Sequence, residues 1–272
     1  MPSLFNASTF NIKKNSRCQN PCLRQAGQCQ INVKAKNLKN FWDLSFGFNG
    51  NVELWHLALT VKGMLIVGLT GGVASGKTTV SKVLKEEGAY IIDADQIARE
   101  LVQPHQPAWN ELRRAFGQEI LQEDGSIHRK KLANRIFADP KQRERLNQIL
   151  HPRIKEEMDR RVKEIAQKDS EAIVVIDAPL LIELGVHREM DKLIVVISTQ
   201  TQQIERLEDR DGTRPEEALR ILSSQMPLEE KLKFADFVIQ NEGSLQKMKK
   251  RAKEVFKELK KVSIQTKQTL RA

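Results

Sequence analysis

The chain has 272 residues, room for one large domain or two ordinary ones, and 40% of them are hydrophobic, enough for a packed core. Its formal charge of +10 invites a nucleic-acid partner, but residues 1–63 set eight lysines and arginines against Asp43 and Glu53 alone. The body is therefore only mildly basic, which argues against nucleic acid, and no apolar run approaches the ~20 residues that span a bilayer.

The leader, residues 1–63, is rich in Asn and Gln and weakly periodic. It reads as a poorly structured extension, a targeting peptide, or an upstream stretch never translated. Arg and Ser are few and no clean amphipathic helix appears, which weakens the targeting reading. Phe41–Leu59, with Trp42, Phe46, Phe48 and Trp55, has the aromatic content to pack as an add-on. Cys18, Cys22 and Cys29 all lie here, and their C-x3-C-x6-C spacing lacks a fourth ligand, so free thiols are expected rather than a metal site. The body from Met64 has no cysteine; that suits a reducing cytosol, and a cytoplasmic location is expected unless the leader directs the chain to an organelle.

Met64 stands directly before the first predicted strand, formed by Leu65, Ile66, Val67 and Leu69. The segment continues as Gly71-x-x-x-x-Gly76-Lys77-Thr78, the pattern of a phosphate-binding loop, and a helix opens near Lys77 with Val80, Val83 and Leu84 on one face. A phosphate chain needs that order. Glycines let backbone N–H groups turn inward around the anion, and the helix N-terminus adds partial positive charge. Residues Gly72, Val73, Ala74, Ser75, Gly76, Lys77, Thr78 and Thr79 are the expected nucleotide cradle. Lys77 would reach the β- and γ-phosphates, and the Thr78 hydroxyl would ligate Mg²⁺.

A second strand, Tyr90–Ile92, ends in Asp93-Ala94-Asp95, and a helix follows with Ile97, Ala98, Leu101 and Val102 at helical spacing. Pro104 and Pro107 break it. Helices are then predicted over Ala108–Ile120, Arg129–Phe137 and Arg143–Ala166, the last interrupted at His151-Pro152. Strands return at Ile173–Ile176 and Leu193–Ile197. A charged helical stretch runs through Thr201–Gln225, a last strand covers Phe237–Ile239, and a basic amphipathic helix spans Leu245–Val262. Strand–helix alternation implies a doubly wound parallel α/β sheet, with the strandless run after Asp95 as an α-helical insertion. The expected layout is a core over 64–94 and 170–264, the insertion over 95–169, a lid over about 200–225 and a tail from 265.

Three groups complete the expected site. Asp177, closing an apolar strand, suits a carboxylate that reaches Mg²⁺ through water, or simply a cap of the next turn. Asp95 lies past the second strand, at the edge where open α/β sheets bind ligands, and can take the proton of an acceptor alcohol. Asp93 competes for that role or caps the following helix. Arg206 and Arg210 share one helix face and would either neutralise a transferring phosphoryl group from a lid or pair with the acids beside them.

The segments GLTGGVASGKTTVSKVLKEEGAYIIDADQIARELVQP, FGQEILQEDGSIHRKKLANRIF, ILHPRI, IDAPLLIELGV, QQIERLEDRD and SSQMPLEEKLKFADFVIQNEG occur in that order. Together they strongly resemble the dephospho-CoA kinase family, over about residues 64–260 and none of the leader. The resemblance implies a P-loop core of nucleoside-monophosphate-kinase type, a helical acceptor domain and a lid. It implies ATP and Mg²⁺ as co-substrate and cofactor, with transfer to the ribose 3′-hydroxyl of dephospho-CoA. Lys77, Asp95 and Arg206 take the catalytic positions of that pattern, and Arg210 and Arg214 are further lid arginines. Thr70, Asp95, Arg129 and His151 fall at acceptor-side positions. Ala74 stands where the family often has Gly, and His128 where an acid or amide is common. A monomer or weak homo-oligomer is expected. A GTP-driven switch is disfavoured, because no NKxD motif occurs.

Overall fold

A computed structural model describes residues 63–271. The leader's expected disorder, its cysteines and the aromatic add-on lie outside the described residues. The strands β1 (Leu65–Gly71), β2 (Tyr90–Asp93), β3 (Ile173–Asp177), β4 (Lys192–Ile197) and β5 (Phe237–Gln240) form one five-stranded sheet in the order β2-β3-β1-β4-β5. Every neighbouring pair is parallel. The expected doubly wound sheet is present, with β1 at its centre.

Parallel strands covered on both faces need apolar side chains in both directions, and β1 is buried along its whole length. Leu65, Val67 and Leu69 face one layer, where α1 (Lys77–Glu86) and α9 (Leu245–Arg271) pack through Val80, Leu84, Met248, Ala252, Val255 and Phe256. Ile66 joins Val174, Ile176 and Val195 on the opposite face, against the helical insertion. The apolar stripe expected of α9 is buried except for Leu245, the helix's first residue, which stays exposed. The helix runs on to Arg271, through the stretch read from sequence as a tail.

The insertion consists of α2 (Ala94–Leu101), α3 (Pro107–Phe116), α4 (Arg129–Ala138) and α5 (Pro140–Lys168). The expected break at His151-Pro152 does not occur. Pro152 lies inside one continuous α5. A proline there removes a backbone donor and costs roughly 3 kcal/mol. Against it, α5 buries Leu146, Leu150, Ile154, Met158 and Val162 on one stripe, each contributing about 1.5–3 kcal/mol. Tertiary burial wins over local propensity. Asp139 caps the helix by accepting from Lys141 N at 2.8 Å.

The charged stretch after β4 resolves into two helices, α6 (Gln200–Asp211) and α7 (Pro215–Ser223). Gly212 ends α6 in the left-handed region at φ 62°, and Pro215 starts α7 at its first helical position. A short helix α8 (Leu228–Leu232) follows, which periodicity alone did not indicate. It is fastened by the buried Lys231, whose ammonium pairs with Glu183 at 2.7 Å. Among the described residues no helix is long and apolar enough to cross a membrane.

Candidate active site

The loop between β1 and α1 leaves the carboxyl end of the central strand, where open α/β sheets bind their ligands. Gly71 must be glycine because the backbone comes too close: a Cβ there would stand 2.5 Å from the Val196 carbonyl oxygen. Gly76 takes φ +96° immediately before Lys77 opens α1, a conformation costly for side-chain-bearing residues. Ala74 adopts φ +55° without being glycine, so the departure at this position carries local strain.

Three consecutive carbonyls of the loop are held from outside. Gln203 Nε2 donates to Val73 O at 2.7 Å, Arg206 Nη1 to Ala74 O at 3.0 Å, and Asn241 Nδ2 to Ser75 O at 2.8 Å. Arg206 also donates to Asn241 O at 3.2 Å, linking two of these braces. Two N–H groups of the loop are engaged as well, Val73 N with Gln225 Oε1 at 2.9 Å and Ser75 N with Gly72 O at 3.1 Å, so the loop is fixed from several sides. Gln203 and Asn241 follow the carboxyl ends of β4 and β5, at the same sheet edge as the loop. Sequence reasoning passed over both, because an isolated amide carries no spacing signal. Their position after a strand end was the available hint.

Lys77 hydrogen-bonds Asp177 in an ion pair, and the carboxylate is buried. Burial alone would lower the Lys77 pKa, but the Asp177 charge and hydrogen bond, helped by Asp95 and Asp93, drive it above its ordinary value. Lys77 is therefore fully cationic at neutral pH, facing three carboxylates. The sheet register brings them there: Asp93 stands opposite Asp177 on β2 and β3, and Asp95 follows in the first turn of α2. Asp93 accepts from Gln96 N at 2.9 Å, which makes it the N-cap of α2. Asp93 is engaged in that cap, and Asp95 is buried to 7% exposure in the first turn of α2.

Arg129, at the start of α4, lines a pocket with Ala98, Arg99, Val102, Ile127 and Leu132. Burial lowers its guanidinium pKa most, Arg99's like charge lowers it further, and Asp95 pulls it back up. Arg129 and Asp95 thus belong to one electrostatic neighbourhood, and Arg99 is a member that sequence reasoning missed. His151 lies buried on α5, and burial depresses its pKa to about 4, so it is neutral at pH 7.

Thr70 is fully buried, and its hydroxyl donates to Pro179 O at 3.0 Å, bracing the turn after β3. Arg210 lies against the Asp211 carboxylate at 2.6 Å, whereas Arg206 holds the loop. Thr78 is exposed at the N-terminus of α1. Among the described residues no cluster of three or more His, Cys, Asp or Glu side chains could hold a metal.

A glycine-rich loop from the central strand into α1, a lysine paired with Asp177 and a helical insertion after β2 give the fold of a P-loop kinase. The model of the dephospho-CoA kinase family matches residues 65–247. A dephospho-CoA kinase of Corynebacterium glutamicum is 46% identical over 196 residues, spanning 72% of this chain and 100% of that protein. One from Bacillus thuringiensis subsp. konkukian is 45% identical, covering 71% of this chain and 96% of the relative. Among solved structures, a Thermus thermophilus protein aligns with TM-score 0.62 and 31% identity, over 72% of this chain and 97% of its own. A dephospho-CoA kinase from Campylobacter jejuni aligns at TM-score 0.51 and 26% identity, with the same coverage of the two chains. The chain belongs to the dephospho-CoA kinase family, and it is an enzyme of the kinase class.

Proposed function

We infer that this protein transfers the γ-phosphoryl group of ATP to the ribose 3′-hydroxyl of dephospho-CoA, giving coenzyme A and ADP. The observation that carries the site assignment is the meeting of Lys77, Asp177 and Asp95 beside a loop whose carbonyls are tied outward. ATP lays its phosphates along Gly72–Thr79 and the N-terminus of α1, and Lys77 neutralises the β- and γ-oxygens. Asp95 accepts the proton of the 3′-hydroxyl as its oxygen bonds to phosphorus and the β–γ bridging oxygen departs with ADP. Arg129, with Arg99 beside it, supplies positive charge on the acceptor side of Asp95, and His151, carried over from the family pattern, would bring a neutral ring to the acceptor.

The oxygen donors at hand, the exposed Thr78 hydroxyl and the Asp177 carboxylate, fit Mg²⁺, which takes few protein ligands and completes its shell with phosphates and water. Bound there, Mg²⁺ would screen the charge between the β- and γ-phosphates. Arg206 supports the loop from α6, and closure of the 200–225 segment would exclude water from the transfer. We place the enzyme in the cytoplasm as a monomer or weak homo-oligomer, acting on small molecules without nucleic acid or membrane.

The test is ADP release from the full chain with ATP and Mg²⁺, with and without dephospho-CoA. Turnover that requires dephospho-CoA supports the reading. A folded protein that binds ATP and ignores dephospho-CoA would contradict it.

A further inference from the structure

Arg99 lies four residues past Asp95 on α2, so the two side chains share one face of that helix. Arg129 opens α4, and both guanidiniums line one pocket whose remaining walls are apolar, with Val102 from α2, Leu132 from α4 and Leu150 from α5. Like charges brought together beside apolar walls repel. That repulsion acts here: after burial, the Arg99 charge is the next influence lowering the Arg129 pKa, and Asp95 works against it.

The surrounding charges add to the imbalance. Glu100, the acid next to Arg99 on α2, is engaged by Arg161. The first turn of α4 holds Arg129, Lys130 and Lys131 and no acid, although a helix N-terminus favours negative charge. Such a gathering of cations costs stability by itself, and a bound anion offsets it. The acceptor supplies one. At neutral pH dephospho-CoA carries its negative charge on the 5′-diphosphate that joins adenosine to the pantetheine arm. Arg99 stands about one helical turn from Asp95, roughly 5–6 Å along the axis. The diphosphate is similarly close to the 3′-oxygen, reached from it through C3′, C4′ and C5′ of the same ribose.

We propose that Arg99, together with Arg129, binds the 5′-diphosphate of the acceptor and so sets its 3′-hydroxyl against Asp95. The inference rests on the dephospho-CoA reading above. It makes Arg99 a residue that selects the acceptor, since adenosine offers the same hydroxyl without the anion. Two guanidinium forks suit two adjoining phosphate groups, and the apolar walls strengthen the attraction by keeping water from that side.

The experiment is steady-state ADP release by the full chain with Mg²⁺, varying dephospho-CoA at saturating ATP and then ATP at saturating dephospho-CoA, for the wild type, Arg99→Ala and Arg99→Lys. Hydrogen bonds to a charged group are worth roughly ten- to hundredfold in binding, so Arg99→Ala should raise KM for dephospho-CoA by that factor. KM for ATP should stay within about twofold, which also shows that the variant is folded. Arg99→Lys keeps the charge without the fork and should fall between the two. Added KCl should narrow the gap between wild type and Arg99→Ala, because salt screens a charge attraction and leaves a packing defect as it was. An unchanged KM for dephospho-CoA, an equal rise in KM for ATP, or a gap indifferent to KCl would each overturn the proposal. A wild type that releases no ADP in response to dephospho-CoA would instead overturn the reading on which it rests.

Discussion

His151 should make the stability of this fold depend on pH in a way a single substitution removes. Its ring is 4% exposed on α5, and burial lowers its pKa from 6.5 to about 4. A base whose folded pKa is depressed binds protons more tightly in the unfolded chain. Its contribution is therefore intact above pH 6.5 and is lost as pH falls toward 4. At pH 5 the unfolded histidine is almost wholly protonated while the folded one is mostly neutral, a difference of about 2 kcal/mol at 1.36 kcal/mol per pKa unit. Against a typical stability of about 5–15 kcal/mol, that is readily measured. Urea unfolding of the wild type and His151→Gln at pH 7 and pH 5 isolates it. His187, also lowered by burial, titrates equally in both proteins and cancels in the comparison. The variant should lose about 2 kcal/mol less than the wild type between the two pH values. Equal losses would refute the buried neutral histidine.

Lys77→Ala and Asp95→Ala should separate binding from transfer. The first should weaken ATP, seen by titration, and the second should leave ATP affinity near the wild-type value while turnover falls by on the order of 10²–10⁴-fold; an equal loss of ATP affinity in both would contradict the role given to Asp95. Ala74→Gly relieves a left-handed alanine, worth about 1–2 kcal/mol, against about 0.4–1 kcal/mol of added unfolded-state entropy. The melting temperature should therefore hold or rise, and a clear fall would show that the loop is not strained there. Trp109→Phe removes the 2.8 Å bond from the indole Nε1–H to Gly125 O and should cost about 1 kcal/mol by denaturant unfolding; a neutral result would mean that water replaces the partner.

Much of this protein was legible along the chain. Short apolar runs located every strand of the sheet, and G-x-x-x-x-G-K-T located the phosphate loop, because both are local patterns with a fixed physical meaning. The same locality explains the misses. Pro152 reads as a break until the buried stripe of α5 is known, and no local pattern marks the bond from Arg206 to Ala74 O.

The sequence by itself determined the alternation, the loop and the acid after each of β2 and β3, since each depends on neighbours a few residues away. Only the tertiary structure decided that Asp93 caps α2, and that Gln203, Gln225 and Asn241 converge on one loop. Those contacts join residues more than a hundred positions apart. A single amide has no periodicity to announce it, so its role arises from the sheet order that carries the ends of β1, β4 and β5 to the same edge.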